Sequence, residues 1–269
     1  MYKDLKGKNA LITGAGKKAG IGYAVAKKLA ACGVNVALAD LATAEKNDPL
    51  LTSNKAQLAR LTQTLGETCK VQTLALDLDV TRSESVQNMA AVLAEEFNNI
   101  HILFNNAGVI HRKDIIELEE AQWDLVVDVS LKAIFLLSRC VIPVMTENGG
   151  GSIINTGSGW GLKGGPQAAA YCAAKGGVVN LTRAMAIDHG KQGIRVNCVC
   201  PGDIDTPLLR GEARQLGVNE EEFMKESAER PINRVGTPED VARAVLFLAG
   251  NLSGWVTGTS IVVDGGGLA

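Results

Sequence analysis

Tyr171 and Lys175 lie four residues apart in Ala170-Tyr171-Cys172-Ala173-Ala174-Lys175, and apolar residues continue at helical spacing from Gly176 to Asp188. Positions i and i+4 share one face of a helix, so the phenol and the amine are neighbours. A phenol ordinarily keeps its proton until about pH 10. An ammonium beside it favours the phenolate and makes tyrosine a usable acid or base near neutrality. A second hydroxyl, that of Ser158, lies thirteen residues upstream, after Ser152-Ile153-Ile154-Asn155-Thr156 and within Gly157-Ser158-Gly159. A short β-branched run closed by small residues is the pattern of a strand that presents the next side chain at its carboxyl end. Ligands of open α/β sheets bind at that edge. Ser158 can then hold a substrate oxygen while Tyr171 moves the proton. Taken singly, a Tyr-x-x-x-Lys pair and a serine in a glycine-rich turn are both ordinary, so their weight depends on the elements around them.

The amino-terminal residues supply such elements. Asn9 to Thr13 reads as a short buried strand, and Gly14-Ala15-Gly16-Lys17-Lys18-Ala19-Gly20-Ile21-Gly22 as a glycine loop. An amphipathic helix follows, with Ile21, Val25, Leu29 and Cys32 on one stripe. Strand, glycine loop and helix form the context of a dinucleotide fingerprint. Glycines let the backbone approach a pyrophosphate, and the helix amino end stabilises its charge. A second strand, Val34 to Ala39, ends in Asp40. A carboxylate there accepts from an adenosine ribose and repels a 2′-phosphate, which favours NAD over NADP without excluding NADP.

With these motifs in order, the chain resembles the short-chain dehydrogenase/reductase family, in its single-domain subgroup, over nearly its whole length. The resemblance is carried by Thr13-Gly14 with Gly20-Ile21-Gly22, by Asp79-Val80, by Asn105-Asn106-Ala107-Gly108, and by Ser158, Tyr171 and Lys175. Arg195-Val196-Asn197, Pro201-Gly202 with Thr206-Pro207, and Val263-Asp264-Gly265-Gly266 complete it. It implies one Rossmann-type α/β domain over 1–269: a doubly wound parallel sheet of about seven strands, order 3-2-1-4-5-6-7, with helices on both faces. It implies a catalytic set of Ser158, Tyr171 and Lys175 with Ser130. The cofactor bed it implies comprises Gly14, Gly16, Gly20, Ile21, Gly22, Asp40, Leu41, Asp79, Val80, Asn106, Ala107, Gly108, Tyr171, Lys175, Pro201, Gly202, Ile204 and Thr206. Lys175 would also hydrogen-bond the nicotinamide ribose, and a substrate lid would lie within 203–235. A homotetramer is implied too, with the long helices near 119–145 and 168–189 forming one contact.

Three positions depart from the family pattern. Five residues separate Gly14 from Gly20 where three are usual, and two of them are Lys17 and Lys18. These lysines either touch a phosphate, including an extra one, or are solvated on an exposed loop. Ser130 stands where the family has an asparagine whose main-chain carbonyl helps hold a water in a proton relay. A serine can keep a main-chain role, or simply bond back to the preceding helical turn. Gly157 replaces a serine that often precedes the catalytic one, a change expected to affect packing alone.

Composition narrows the remaining classes. The 269 residues hold no Pro- or Ser-rich linker, enough chain for a large α/β core. A net charge of −2 argues against nucleic-acid or anionic-membrane partners. No apolar run approaches the ~18 residues of a membrane span, and Met1 to Lys6 shows no signal-peptide core, so a cytoplasmic location is expected. The six cysteines have no metal or disulfide spacing and read as reduced core residues. Cys198 and Cys200 share one face of a strand. Of the histidines, His101 and His189 read as structural and only His111 as a pocket residue; no metal is expected. Trp160 reads as a pocket wall, Trp123 and Trp255 as packing.

Candidate strands fall at 9–13, 34–39, 70–76, 101–104, 151–156, 194–199 and 259–263, and helices near 21–32, 54–67, 83–97, 119–145, 168–189 and 238–249. Such alternation specifies a parallel sheet covered on both sides. Residues 42–53 and 203–235 read as irregular. Arg210 and Arg214 in the second segment either bind an anionic substrate or form a solvated face. The expected activity is NAD-dependent hydride transfer between a polar secondary alcohol, such as a sugar or polyol, and its ketone. Two other readings stand beside it: an NADPH-dependent 3-oxoacyl-thioester reductase, and a catalytically inactive cofactor-binding sensor.

Overall fold

The computed structural model describes residues 2–42 and 53–269; of the segment 42–53, residues 43–52 lie outside the described residues. Seven strands form one sheet: β1 (Asn9–Thr13), β2 (Asn35–Asp40), β3 (Thr73–Asp77), β4 (Ile102–Asn105), β5 (Gly151–Thr156), β6 (Ile194–Pro201) and β7 (Ser260–Val263). Their order is β3-β2-β1-β4-β5-β6-β7, and every pairing is parallel, as expected. The helices are α1 (Ile21–Ala31), α2 (Lys55–Cys69), α3 (Ser83–Phe97), α4 (Glu120–Val127), α5 (Ala133–Glu147), α6 (Ala169–His189), α7 (Pro207–Leu216), α8 (Glu220–Ser227) and α9 (Pro238–Ala249).

Successive strand residues face opposite sides of a sheet, and here each side meets its own core. Ala10 and Ile12 of β1 join Val25 and Leu29 of α1, Leu58 and Leu61 of α2, and Val241 and Val245 of α9. Leu11, between them, joins Met89 and Leu93 of α3, Leu137 and Val141 of α5, and Val178 of α6. Strands buried on both faces are why the chain shows short unbroken apolar runs rather than alternation.

Four expectations need correction. The helix expected over 119–145 is broken: α4 and α5 are separated by a π turn at Asp128–Lys132, a widened turn that proteins frequently place at functional sites. α2 runs to Cys69 and ends on Lys70 in the left-handed region, so β3 starts at Thr73 rather than 70. The segment 203–235 is not irregular throughout. Thr206 caps α7 through its side chain, Pro207 occupies the first turn, and Gly217 closes it at φ 67°; Asn219 caps α8. Those start and stop signals outweigh the charged composition. Trp255, expected to pack, is fully exposed. All six cysteines are free thiols, and Cys198 and Cys200 are buried with their sulfurs 3.8 Å apart.

Candidate functional site

β1 and β4 are neighbours whose chains leave in opposite directions along the sheet. Their carboxyl ends therefore bound the crevice where ligands of open sheets bind. Thr13 locks the two loops together: its Oγ1 accepts from the backbone N–H of Asn106 at 3.0 Å and of Ala107 at 3.2 Å. Asn106 answers through Nδ2, which donates to the carbonyls of Thr13 and Gly14 at 3.0 and 3.1 Å. Gly14 has φ +64°, and a Cβ there would lie 2.9 Å from Ala107 Cα; a Cβ on Gly22 would lie 2.6 Å from the Gly14 carbonyl oxygen. Only glycine lets this loop lie flat on the start of α1, with bare backbone at the helix amino end.

Asp40 ends β2 and closes on the same loop, where the Gly16 N–H donates to its Oδ2 at 2.6 Å. Burial pushes its carboxyl up, while the N–H groups of Gly16 and Leu41 and the charge of Lys17 pull the other way. Lys17 therefore lies close to this carboxylate at the cavity wall, whereas Lys18 is exposed. The glycine cradle and the acid at the end of β2 fit the pyrophosphate and ribose of a dinucleotide.

A cavity of about 670 Å³ starts at this loop and runs along the carboxyl edge of the sheet. Gly14, Gly20, Ile21, Asp40, Leu41, Asp79, Val80, Asn106, Ala107 and Gly108 line one stretch of it. Ser158, Tyr171, Lys175, Pro201, Gly202, Ile204 and Thr206 line the rest. Three expected site residues do not line it. Gly16 holds Asp40, Gly22 packs beneath Gly14, and Ser130 lies behind Gly108, with its Oγ 3.4 Å from the backbone N and O of Val109. Ser130 thus bonds across to the β4 loop rather than to its own helix. A Cβ on Gly108 would touch both Lys175 Nζ and Ser130 Oγ, at 3.5 and 3.7 Å.

The catalytic candidates ride on α6 and the end of β5. A buried chain of hydrogen bonds fixes one to the other: Asn105 Nδ2 donates to Asn155 Oδ1 at 2.8 Å, and Asn155 Nδ2 to Thr182 Oγ1 at 2.9 Å. Lys175, 2% exposed, donates to the Thr156 carbonyl at 2.7 Å, and its Nζ lies 5.6 Å from the Tyr171 ring centre. Gly157 leaves room for the paired sulfurs, since a Cβ there would come within 2.7 Å of Cys198 and 2.9 Å of Cys200. Burial lowers Lys175 to about 8, against the influence of those thiols. Tyr171 corrects an expectation. Burial raises its pKa, the charge of Glu212 adds to the rise, and the Ser158 hydroxyl beside it pulls the other way. The lysine is turned to Thr156, and desolvation of the phenolate dominates.

Trp160 and His111 line the cavity as expected. Arg210 does not; it pairs with Asp205 and Glu220 at 2.8 and 2.5 Å on the half-exposed face of the segment. Among the described residues no cluster suits a metal ion. Sequence reasoning missed Glu212 and Arg112, a buried ion pair at 2.5 Å beside Trp160. Glu212 is one glutamate among many in a charged segment, and no local pattern distinguishes it.

A doubly wound sheet with a glycine loop at its crevice is the architecture of a dinucleotide-binding protein. Comparison with known proteins makes this specific. The family model described as "Enoyl-(Acyl carrier protein) reductase" matches residues 14–267. The 2-(S)-hydroxypropyl-CoM dehydrogenase 3 of Xanthobacter autotrophicus is 36% identical over 268 residues, 99% of this chain and 98% of the relative. A 3-oxoacyl-[acyl-carrier-protein] reductase of Vibrio cholerae is 35% identical over 263 residues, 98% of each. L-sorbose reductase of Gluconobacter frateurii, solved with NADPH and L-sorbose, superposes with a TM-score of 0.89 at 28% identity, covering 99% of this chain and 98% of that one. The chain belongs to the short-chain dehydrogenase/reductase family. It is an oxidoreductase of the alcohol dehydrogenase/reductase kind, from a family that binds NAD(P). Among the described residues no helix is long and apolar enough to cross a membrane.

Proposed function

We propose that the protein interconverts a polar secondary alcohol and its ketone, using NAD in preference to NADP. The observation that carries this is a single cavity holding the Ser158, Tyr171 and Lys175 side chains together with Asp40 and the glycine loop. The nicotinamide supplies the hydride acceptor or donor. Ser158 Oγ holds the substrate oxygen and steadies its developing charge. Tyr171 Oη moves the proton: it donates to a ketone oxygen or takes the proton of an alcohol. Its burial keeps that proton in place at neutral pH, so the reducing direction finds its acid ready, and oxidation gains as pH rises. Lys175 supplies a buried, readily neutralised amine, and Ser130 and Gly108 pack against the same corner. Asp40, fixed by Gly16, supports NAD because a carboxylate there accepts from a ribose and repels a 2′-phosphate. We assign α7 and α8 as the lid, and a cytoplasmic homotetramer as the working form.

The test is a panel of secondary alcohols, polyols, sugars and their ketones, with a 3-oxoacyl thioester, run with NAD(H) and NADP(H) and followed by nicotinamide absorbance. Polar alcohols with NAD should exceed NADP by at least about tenfold, the equivalent of one lost charge-assisted hydrogen bond. The second reading, an NADPH-dependent 3-oxoacyl-thioester reductase, is favoured by Lys17 at the cavity wall near Asp40 and by the Vibrio cholerae relative. NADPH preference with thioester turnover would establish it instead. No turnover of any pair would end both.

A further inference from the structure

Glu212 lines the same cavity as Tyr171, yet it is only 8% exposed. Its Oε2 accepts from Arg112 Nη1, whose guanidinium lies 4.8 Å over the Trp160 ring. Trp160 in turn meets Tyr171 edge-on, ring centres 6.2 Å apart. Gln215, one turn further along α7, clamps the Arg112 segment from the other side: its Oε1 accepts from the Arg112 N–H at 2.8 Å and its Nε2 donates to the Ile110 carbonyl at 3.1 Å. The carboxylate is therefore fixed through one oxygen. Its Oε1 takes no hydrogen bond from any described residue.

Trp160, Leu208 and Leu268 line the same cavity, as do the polar Asp203, Thr206 and Arg230, and the charge of Asp203 acts on Glu212. Burial raises Glu212 to about 7, Arg112 opposing, and its charge is felt at the Tyr171 phenol. Oε1 is not among the fully buried atoms left without a partner, so it is open to a donor that enters the cavity, whose hydrogen bond replaces one from water. A hydroxyl donates to it, an anionic group is repelled, and a bare alkyl chain leaves it unpaired.

We propose that Glu212, held in place by Arg112, is a specificity residue that accepts a hydrogen bond from a second hydroxyl of the substrate, close to the reacting carbinol. The enzyme then takes diols and hydroxyketones ahead of simple alcohols and ketones of the same chain length. This rests on the alcohol–ketone reading above and names the substrate class for it.

The test compares the 2,3-butanediol stereoisomers with 2-butanol, in wild type, in Glu212→Gln, and in the double variant Glu212→Leu/Arg112→Met, which replaces the buried pair by apolar packing. Wild type should favour at least one diol by about tenfold to hundredfold in kcat/KM. In both variants the diol-to-2-butanol ratio of kcat/KM should collapse towards one, chiefly through the KM of the diol, each variant being measured at its own pH optimum because loss of the Glu212 charge also acts on Tyr171. Equal loss on both substrates would make the pair a lid latch alone and overturn the proposal. So would a wild type that does not discriminate. Binding of each alcohol to the NAD-loaded protein, followed by tryptophan quenching, separates the two levels. Diol-selective, Glu212-dependent binding without turnover would sink the catalytic reading and leave this site standing. Unselective binding would sink the site whatever the turnover.

Discussion

At the scale of single residues, the proton sites are tuned chiefly by burial. Tyr171 is the group that must exchange a proton with substrate, so Tyr171→Phe should lower turnover by about 10²–10⁴-fold. NADH binding, followed by fluorescence titration, should stay within about threefold of wild type, because the lost oxygen acts on substrate. A variant that keeps full turnover, or that loses cofactor binding first, would contradict the role. Lys175 carries a cost that pH can reveal. Its folded-state value of about 8 lies below the ordinary 10.5. Across that window the unfolded chain binds a proton that the folded chain does not, so stability rises with pH from about 8 to 10.5. Lys175→Met removes the penalty at pH 7 but also the bond to Thr156, for a net gain of about 2 kcal/mol. Urea denaturation at pH 7 and pH 10.5 checks this: the advantage should shrink at the higher pH, and an equal difference at both would refute the assignment. The tyrosine, lysine and serine were legible because their spacing reports one helix face and one strand end. Their ionisation was not, because desolvation depends on everything packed around them and no local spacing encodes it.

At the scale of elements, the site depends on how α6 is seated against the sheet. Asn105, Asn155 and Thr182 form a chain of side-chain hydrogen bonds between β4, β5 and α6. Asn155→Ala leaves the buried Asn105 Nδ2 without its acceptor, while Thr182 keeps its bond to the Val178 carbonyl, and should cost about 1–3 kcal/mol in chemical denaturation. Because the same contact sets the height of α6 over β5, kcat should fall as well; a destabilised variant with unchanged kcat would show that the network serves folding only. Strand and helix identities here follow from apolar runs, glycine loops and β-branched segments. The π turn at 128–132 does not, because one extra residue in a turn leaves hydrophobic spacing almost unchanged. The helices α7 and α8 carried proper caps in Thr206, Pro207, Gly217 and Asn219, but charge-rich composition masked them. Glu212 was hidden for a related reason: its burial arises from Arg112, a hundred residues away in the chain.

At the scale of the whole molecule, the two-sided parallel sheet follows from alternation and its strand order from the family resemblance, whereas assembly does not follow from the apolar stripes. Phe135 on α5 and Ile187 on α6 are 50% and 80% exposed, which suits the proposed helix-to-helix contact between copies. Native mass measured by light scattering should be four times the 28.3 kDa chain. Phe135→Glu with Ile187→Glu should lower it to a smaller species while leaving the far-ultraviolet dichroism unchanged. A monomeric wild type would end the tetramer reading.

The widened turn between α4 and α5 also constrains how this protein can change. A π turn closes i→i+5 and so holds one residue more per turn than an α-helix, so excising one residue from 128–132 would let the rod run on as regular helix with both flanks facing nearly as before. Val126, fully buried against Ala170 and Ala174, would keep its place on α6, whereas Ser130, inside the turn, would lose its place behind Gly108. The extra residue thus serves what stands within the turn, the corner beside Gly108 and Lys175, rather than the packing of the helices on either side.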